Sequence, residues 1–239
     1  MASLIRSWAA PFVRVELHLT PDVVSFPPAG RRGALLYGAN PFLCGPRFSA
    51  AEAHALLPGK GIVYPEQTVD GAVTEIGGLP LRRALERVPA RLPGGARLAP
   101  GDVVRTEALG GLAESFRAVL HACPPDYEPG SRAGALLRRC YDRGFELAWA
   151  HDREAAAACP LVTALLGAGA RGFPVAESVG ALAAAVSSWA PRGLPEGGPP
   201  TLCLAVTDDE VCAHAAEVLD AALAGRPKAL KDKPAKTPT

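Results

Sequence analysis

The stretch PLVTALLGAGARGFPVAESV, residues 160–179, joins an apolar run to a glycine-rich segment and then to a helical pattern. Its centre, Gly167–Gly172, is a literal G-x-G-x-x-G, and Pro174 stands where a helix would begin. Glycines at this spacing between a strand and a helix allow a backbone to approach a phosphate closely. Three interpretations are open: a dinucleotide fingerprint, another kind of phosphate loop, or a glycine-rich turn without a ligand.

The second half of the chain alternates strands and helices around this stretch. The helical pattern of residues 131–151 precedes it, since apolar side chains recur there at spacings of three and four. A strand, TLCLAVT, and a last helix, closed by Gly225, follow it. This alternation predicts an α/β fold with parallel strands and helices on both faces of the sheet.

The first half adds further strands and shorter helices. Alternation predicts a strand at Phe12–Leu19, and a continuous apolar run predicts a buried strand within Gly33–Pro41. A capping box predicts a short helix at Ser49–Leu57. Residues 60–78 indicate a strand, a loop and a helix, and the following PLRRALERVP indicates a separate short helix. Two further strands are predicted at RLAPGDVVRTEAL and FRAVLHACP.

Length and composition indicate one domain. The chain has 239 residues, of which 49% are hydrophobic, enough for one large core. We expect a domain over residues 1–225, with an insertion at about 46–66, and a disordered basic tail at 226–239. Twenty-five basic and 24 acidic side chains give a net charge of +1, which is no electrostatic footprint for nucleic acid.

The spacing of the cysteines indicates whether the protein binds a metal, and the apolar segments indicate its cellular location. None of the six cysteines forms a C-x-x-C pair, and neither His151 nor His214 completes a zinc spacing, so we expect no metal. We see no signal peptide and no membrane span, which predicts an intracellular protein of the cytoplasm or nucleus, with free thiols. A viral and a cellular origin both remain open.

The glycine loop does not fit a dinucleotide-binding fingerprint. Phe173 and Pro174 intervene before the helix, and residues 187–192 contain no acid to hold a ribose hydroxyl. Asp208 and Asp209 are the first carboxylates on the following strand, and they come too late. The choice therefore lies between another phosphate loop and an empty turn.

The order of several sequence blocks along the chain favours a phosphate loop over an empty turn. Seven blocks follow one another between about Phe12 and Gly225: TPDVVSF, YGANPFL, TVDGAVTEIGG, RLAPGDVVRTEAL, FRAVLHACPP, LLRRCYDRGFELA and the glycine loop. In this order they resemble the macro domain family, whose members bind ADP-ribose. The resemblance implies a three-layer α/β/α fold with a mixed, largely parallel central sheet.

The resemblance also implies a set of ligand-binding residues. It assigns the pyrophosphate to the loop that is formed by Gly167, Ala168, Gly169, Ala170, Arg171 and Gly172. It places Asp22 and Val23 in the ligand site, with the Asp22 carboxylate on the adenine amino group, and it places Asn40 and Phe173 at the distal ribose. A turn role for Asp22 and for Asn40, a solvent-facing Arg171 and an ordinary core role for Phe173 are the alternatives.

Several positions depart from the family pattern. Pro65-Glu66-Gln67-Thr68 stands where hydrolytic macro domains carry a glycine run, Tyr37 replaces an asparagine, and Pro21 replaces a glycine. We therefore expect binding of ADP-ribose or of ADP-ribosylated protein, without a cofactor. An ADP-ribosyl hydrolase with Asp70 as its catalytic residue is one alternative. A ligand-free interaction module is the other.

Overall fold

The computed structural model describes residues 2–26, 32–46, 68–149, 159–190 and 198–223. The predicted helix Ser49–Leu57, nearly all of the insertion at 46–66 and the tail at 226–239 lie outside these ranges. The strands are β1 (Ser3–Ala9), β2 (Arg14–Leu19), β3 (Gly33–Gly38), β4 (Val103–Glu107), β5 (Phe116–Ala122), β6 (Leu161–Thr163) and β7 (Thr201–Val206). The α-helices are α1 (Val69–Glu86), α2 (Leu112–Ser115), α3 (Ala133–Trp149), α4 (Val175–Ser188) and α5 (Asp209–Leu223).

The seven strands form one mixed sheet in the order β1-β2-β7-β6-β3-β5-β4. The four inner pairings are parallel, whereas β1 with β2 and β4 with β5 are antiparallel. The predicted α/β class with a mixed, largely parallel sheet is confirmed. Central strands such as β3 are apolar on both faces because helices cover both faces.

Two apolar clusters occupy the two faces of the sheet. One cluster joins α3, α4 and α5 to the sheet through residues such as Leu137, Val179 and Leu219. The other joins α1 and α2 to the opposite face through Val73 and Leu112. The chain is therefore a three-layer α/β/α structure, as the resemblance implied.

Strand β1 was not predicted from the sequence. It is an edge strand, and of its seven residues only Trp8 is buried, so it lacks the alternation that identifies a half-buried strand. Leu4 and Ile5 are exposed on it. Its partner β2 supplies all of its ladder hydrogen bonds in antiparallel register.

Helix α1 combines two helices that were predicted separately. Gly78 has φ of 55° inside it, and Pro80 follows two residues later, so the helical run continues through a kink. The predicted break is thus a bend. None of the described helices is both long enough and apolar enough to cross a membrane.

The connections create a crevice between β3 and β6. From β6 the chain passes through α4 on one face to β7, whereas from β3 it passes through α1 on the other face towards β4 and β5. Adjacent parallel strands whose connections diverge in this way leave an opening at their carboxyl ends. The glycine loop follows β6 at this edge, and Asn40 follows β3.

Candidate functional site

The glycine loop connects β6 to α4, and its glycines have different structural roles. Gly167 has φ of +83°, and a Cβ there would lie 2.8 Å from Cδ2 of Phe173. Gly172 has φ of +74°. Gly169 has no positive φ, and a Cβ added to it would meet no atom within 4 Å. Folding therefore requires a glycine at Gly167, whereas the space beside Gly169 is open.

Hydrogen bonds hold the loop from beneath. Tyr141 Oη accepts from the Leu166 amide at 2.9 Å, and Ser178 Oγ donates to the Leu166 carbonyl at 2.5 Å. Within the loop, the Phe173 amide donates to the Gly167 carbonyl at 3.0 Å, and the Gly172 amide to the Gly169 carbonyl at 2.9 Å. These contacts tie the loop to α3 and α4 and support its backbone.

The central amides of the loop remain available. Within the described ranges, the amides of Ala168, Gly169 and Ala170 have no protein acceptor. The loop also leads directly into α4, whose N-cap residue Pro174 provides no side-chain hydrogen bond. Successive unpaired amides at a helix N-terminus form a favourable environment for an anion.

Arg171 interacts with two carboxylates. Its Nη1 is 2.8 Å from Oδ1 of the exposed Asp126, and its carbonyl accepts a hydrogen bond from the Tyr127 amide at 2.8 Å. Its guanidinium also interacts electrostatically with Asp70. The Arg171 side chain is thus partly exposed and ion-paired, and a contact with the diphosphate stays a prediction.

Phe173 lies beneath the loop, with 3% of its surface exposed. Its ring is 5.1 Å from that of Tyr127, whose hydroxyl donates to Glu177 Oε1 at 2.6 Å. The structure therefore gives Phe173 the core packing role that was its alternative. Contact between its ring and a ribose stays a prediction.

Asp22 shapes the turn that follows β2. Its Oδ1 accepts from the Val24 amide at 2.9 Å, and its Oδ2 accepts from Ser25 Oγ at 2.5 Å. Thr20 Oγ1 donates to the Asp22 carbonyl at 2.9 Å, and Val23 is buried next to this turn. Each carboxylate oxygen retains a lone pair, so the turn role and a ligand role are compatible.

Asn40 likewise shapes the turn that follows β3. Its Oδ1 accepts from the Phe42 amide at 2.9 Å, and its Nδ2 donates to the Gly45 carbonyl. Leu43, inside this turn, has φ of 56°, a left-handed conformation that is strained for leucine. The turn alternative thus describes the contacts that the structure shows, and a contact with ribose stays a prediction.

Asp70 is the second residue of α1 and is partly buried. Thr68 caps the helix by accepting a hydrogen bond from the Gly71 amide at 3.0 Å. Burial raises the pKa of the Asp70 carboxyl from 3.8 to about 7, against the opposing effects of Asn40, Tyr37 and Arg171. The structure therefore brings Asp70, Asn40 and Arg171 together, although they lie far apart in the sequence.

Tyr37 joins this cluster and was absent from the predicted site residues. Its hydroxyl is 2.7 Å from His121 Nδ1, and Thr106 Oγ1 is 2.9 Å from His121 Nε2. Burial lowers the pKa of His121 to about 3, so the ring is neutral. Every proton has an acceptor if Thr106 donates to Nε2, Nδ1–H donates to Tyr37, and Tyr37 donates to Asp70.

The sheet order arranges these groups along a line. Asp22 and Val23 follow β2, the glycine loop follows β6, and Asn40 follows β3, in the spatial order β2-β7-β6-β3. Three strand spacings separate β2 from β3, which is about 14 Å. The site is thus elongated: an acidic turn lies at one end, the unpaired amides lie further along it, and the Asn40–Asp70 cluster lies at the other end.

Comparisons with known proteins identify this architecture. No protein-family model matches the sequence, and no curated protein sequence matches it significantly. Among solved structures, the Oceanobacillus iheyensis macrodomain with ADP aligns with a TM-score of 0.66 and 16% identity, covering 92% of this chain and 97% of that one. A Trypanosoma brucei macrodomain in complex with ADP-ribose aligns with a TM-score of 0.56 and 16% identity, covering 87% of this chain and 68% of that one.

A third solved structure, the macro domain of ganglioside induced differentiation associated protein 2, aligns with a TM-score of 0.59 and 14% identity. The alignment covers 87% of this chain and 84% of that one. At these identities the alignments establish the fold alone. The sheet order, the two helical layers and these alignments together show that the chain has the macrodomain fold.

Proposed function

We propose that the protein binds ADP-ribose, either free or attached to another protein. The observation that carries the proposal is the row of amides at Ala168, Gly169 and Ala170, in the middle of an elongated crevice, for which the described residues provide no acceptor. A diphosphate matches such amides in charge and hydrogen bonding. The Oceanobacillus iheyensis macrodomain with ADP and the Trypanosoma brucei macrodomain in complex with ADP-ribose support the same ligand class.

The two ends of the crevice then receive the two ends of the ligand. The adenine amino group donates to the free lone pairs of Asp22, beside Val23. The diphosphate lies on the loop, where Arg171 adds positive charge. The distal ribose lies near Asn40 and Asp70, both of which carry hydrogen-bonding groups, with Phe173 beneath the loop.

Calorimetric titration of the full chain tests the proposal. We expect ADP-ribose to bind with a stoichiometry of one, ADP to bind more weakly, and AMP, which has a single phosphate, to bind most weakly. Equal affinity for AMP and ADP would remove the diphosphate assignment. Absence of heat with every one of these ligands would favour a ligand-free interaction module.

Hydrolysis of ADP-ribosyl bonds is the second candidate function, and the environment of Asp70 favours it. A carboxyl group with a pKa of about 7 in a crevice is suited to accept a proton from water near neutral pH. In this candidate mechanism, Asp70 orients a water molecule and accepts its proton as the water oxygen bonds to the anomeric carbon of the distal ribose. The bond between that carbon and the side chain of the modified protein breaks, and the departing side chain takes up the proton.

Release of labelled ADP-ribose from a modified protein separates a hydrolase from a binder. The wild type and Asp70→Ala should be compared in parallel with the calorimetric titration. A hydrolase loses activity in Asp70→Ala while ADP-ribose affinity changes by less than about tenfold. Release by neither protein, together with binding by both, identifies a reader of ADP-ribosylation.

A further inference from the structure

Three metal-ligating side chains converge on the sheet face that also packs against α1. Glu16 and His18 lie two residues apart on β2 and therefore point to the same face. Cys203 lies on β7 directly opposite Glu16 in the parallel register. Glu16 Oε2 is 3.0 Å from His18 Nε2 and 3.8 Å from Cys203 Sγ, and one ligand atom from each residue lies within 4.8 Å of the others.

We propose that Glu16, His18 and Cys203 form a zinc-binding site. A tetrahedral zinc ion with Zn–N, Zn–O and Zn–S distances of about 2.0–2.3 Å separates its ligand atoms by roughly 3.3–3.6 Å. The Glu16–His18 and Glu16–Cys203 separations, 3.0 and 3.8 Å, bracket this range, and the ligand atoms of His18 and Cys203 lie within 4.8 Å of each other, so a metal ion requires the side chains to draw together by rotation. One imidazole, one carboxylate and one thiolate form a donor set that suits zinc better than magnesium or calcium.

The surroundings of the three side chains support a preformed site. Two hydrogen-bonded inner strands carry all three ligands, and the His18 ring packs against Phe26 at 4.8 Å, which restricts its orientation. Cys203 is fully buried and His18 is 8% exposed, whereas the Glu16 side chain is 19% exposed. Three protein ligands with access through Glu16 leave the fourth position to water.

Two charges, the Arg14 guanidinium beside the cluster and the Glu16 carboxylate within it, act on a bound cation in opposite directions. Arg14 Nε lies 3.7 Å from Glu16 Oε1, and its exposed guanidinium competes weakly with a bound cation. The Glu16 carboxylate lies next to a buried thiol, and a divalent cation between them favours the thiolate form. The three ligands lie within β2 and β7, and none of them is among the residues proposed to bind ADP-ribose.

The proposal departs from the sequence-based expectation of no metal. That expectation used the spacing of cysteines along the chain, and Cys203 is 187 residues from Glu16. Only the parallel pairing of β2 with β7 brings the ligands together. A spacing rule for zinc motifs has no means of detecting such a site.

Titration of the chelator-treated full chain with Co²⁺ tests the proposal, because cobalt occupies zinc sites and gives a thiolate-to-metal absorption band. We expect one Co²⁺ per chain, a band that Zn²⁺ removes by competition, and no band in Cys203→Ser. His18→Gln should weaken Co²⁺ affinity by about tenfold or more. Cys212→Ser, which removes another buried thiol on α5, is the matched control and should retain the band.

The outcomes are decisive for the metal site. No band in the wild type, or an unchanged band in Cys203→Ser, overturns the proposal. If Cys203→Ser does not fold, Glu16→Gln replaces a partly exposed ligand, and unchanged Co²⁺ affinity in that variant also overturns it. ADP-ribose affinity is measured on the same samples, so failure of the metal site is distinguishable from failure of the proposed function.

Discussion

Gly169 differs from Gly167 in what a side chain would meet. At Gly167 a Cβ collides with Phe173 in a left-handed backbone, whereas at Gly169 the space is open and the backbone is not left-handed. Substitution at Gly167 therefore tests folding. Substitution at Gly169 tests ligand binding.

We expect Gly169→Glu to abolish ADP-ribose binding without unfolding the protein. The added carboxylate occupies the space before the unpaired amides and repels the diphosphate, so affinity should fall by at least about a hundredfold. Calorimetry and thermal unfolding check the two parts. Ala222→Glu adds the same charge at the exposed end of α5 and should bind normally. Unchanged affinity in Gly169→Glu would remove the loop from the site.

Asp70 makes the stability of the protein depend on pH. Its folded pKa of about 7 lies above the unfolded value of about 3.9, so the folded state holds more protons between these values. The contribution of the Asp70 carboxyl to stability is therefore fully present below about pH 4. It is lost progressively as the pH rises from 4 through 7. Asp70→Asn removes this dependence.

We expect Asp70→Asn to be more stable than the wild type at pH 8, by about 1–2 kcal/mol after allowance for partial exposure. At pH 5, about one unit above the unfolded-state pKa, the advantage should fall to roughly a third of its value at pH 8. Urea unfolding at both pH values measures the difference. Glu217→Gln, an exposed acid on α5, reports the effect of losing a surface carboxylate. Equal gains at both pH values would contradict a raised pKa for Asp70.

At the scale of elements, helix α3 approaches the sheet closely at one glycine. Gly144 is buried, and a Cβ there would lie 2.7 Å from Cδ2 of the fully buried Leu36 on β3. Gly134, in the exposed first turn of the same helix, has no atom within 4 Å of such a Cβ. The two positions form a matched pair in which only the packing differs.

We expect Gly144→Ala to destabilise the protein by about 1–2 kcal/mol, because overpacking against Leu36 outweighs the better helix propensity of alanine. Gly134→Ala should stabilise it by about 0.5 kcal/mol. Chemical denaturation of both variants measures the free energies of unfolding. A stabilising Gly144→Ala would show that α3 packs less closely than the structure indicates.

At the scale of the whole molecule, the crevice draws on residues after β2, β3 and β6, so a bound ligand connects distant parts of the fold. A ligand that binds only the folded state adds about 2.7 kcal/mol of stability at a hundred times its Kd. For a chain of this size, that corresponds to a rise in Tm of roughly 5–10 °C.

We therefore expect ADP-ribose to raise the melting temperature in proportion to the logarithm of its concentration, and Gly169→Glu to abolish this rise. Differential scanning calorimetry at several ligand concentrations measures both. An unchanged Tm at millimolar ADP-ribose would contradict binding to the folded state. A rise of equal size in Gly169→Glu would place the ligand elsewhere on the molecule.

Much of the architecture was predictable because burial leaves a periodic trace in local sequence. The apolar run of β3 and the apolar stripe of α3 indicate which faces are covered, and the glycine loop marks the junction of β6 with α4. Strand β1 left no such trace, since most of its residues face solvent on an edge. The kink at Gly78 appeared as a break because local pattern does not distinguish a bend from an end.

The sequence by itself determined the α/β class, the order of its elements and the position of the glycine loop. Only the tertiary structure decided that Tyr37, Asn40, Arg171 and Asp70 meet, and that Glu16 and His18 lie beside Cys203. The physical reason is that the hydrophobic periodicity of a segment indicates which of its residues are buried, and this pattern is present in each segment by itself. Proximity across the sheet, and the desolvation that raises the pKa of Asp70, arise only when separate segments pack together.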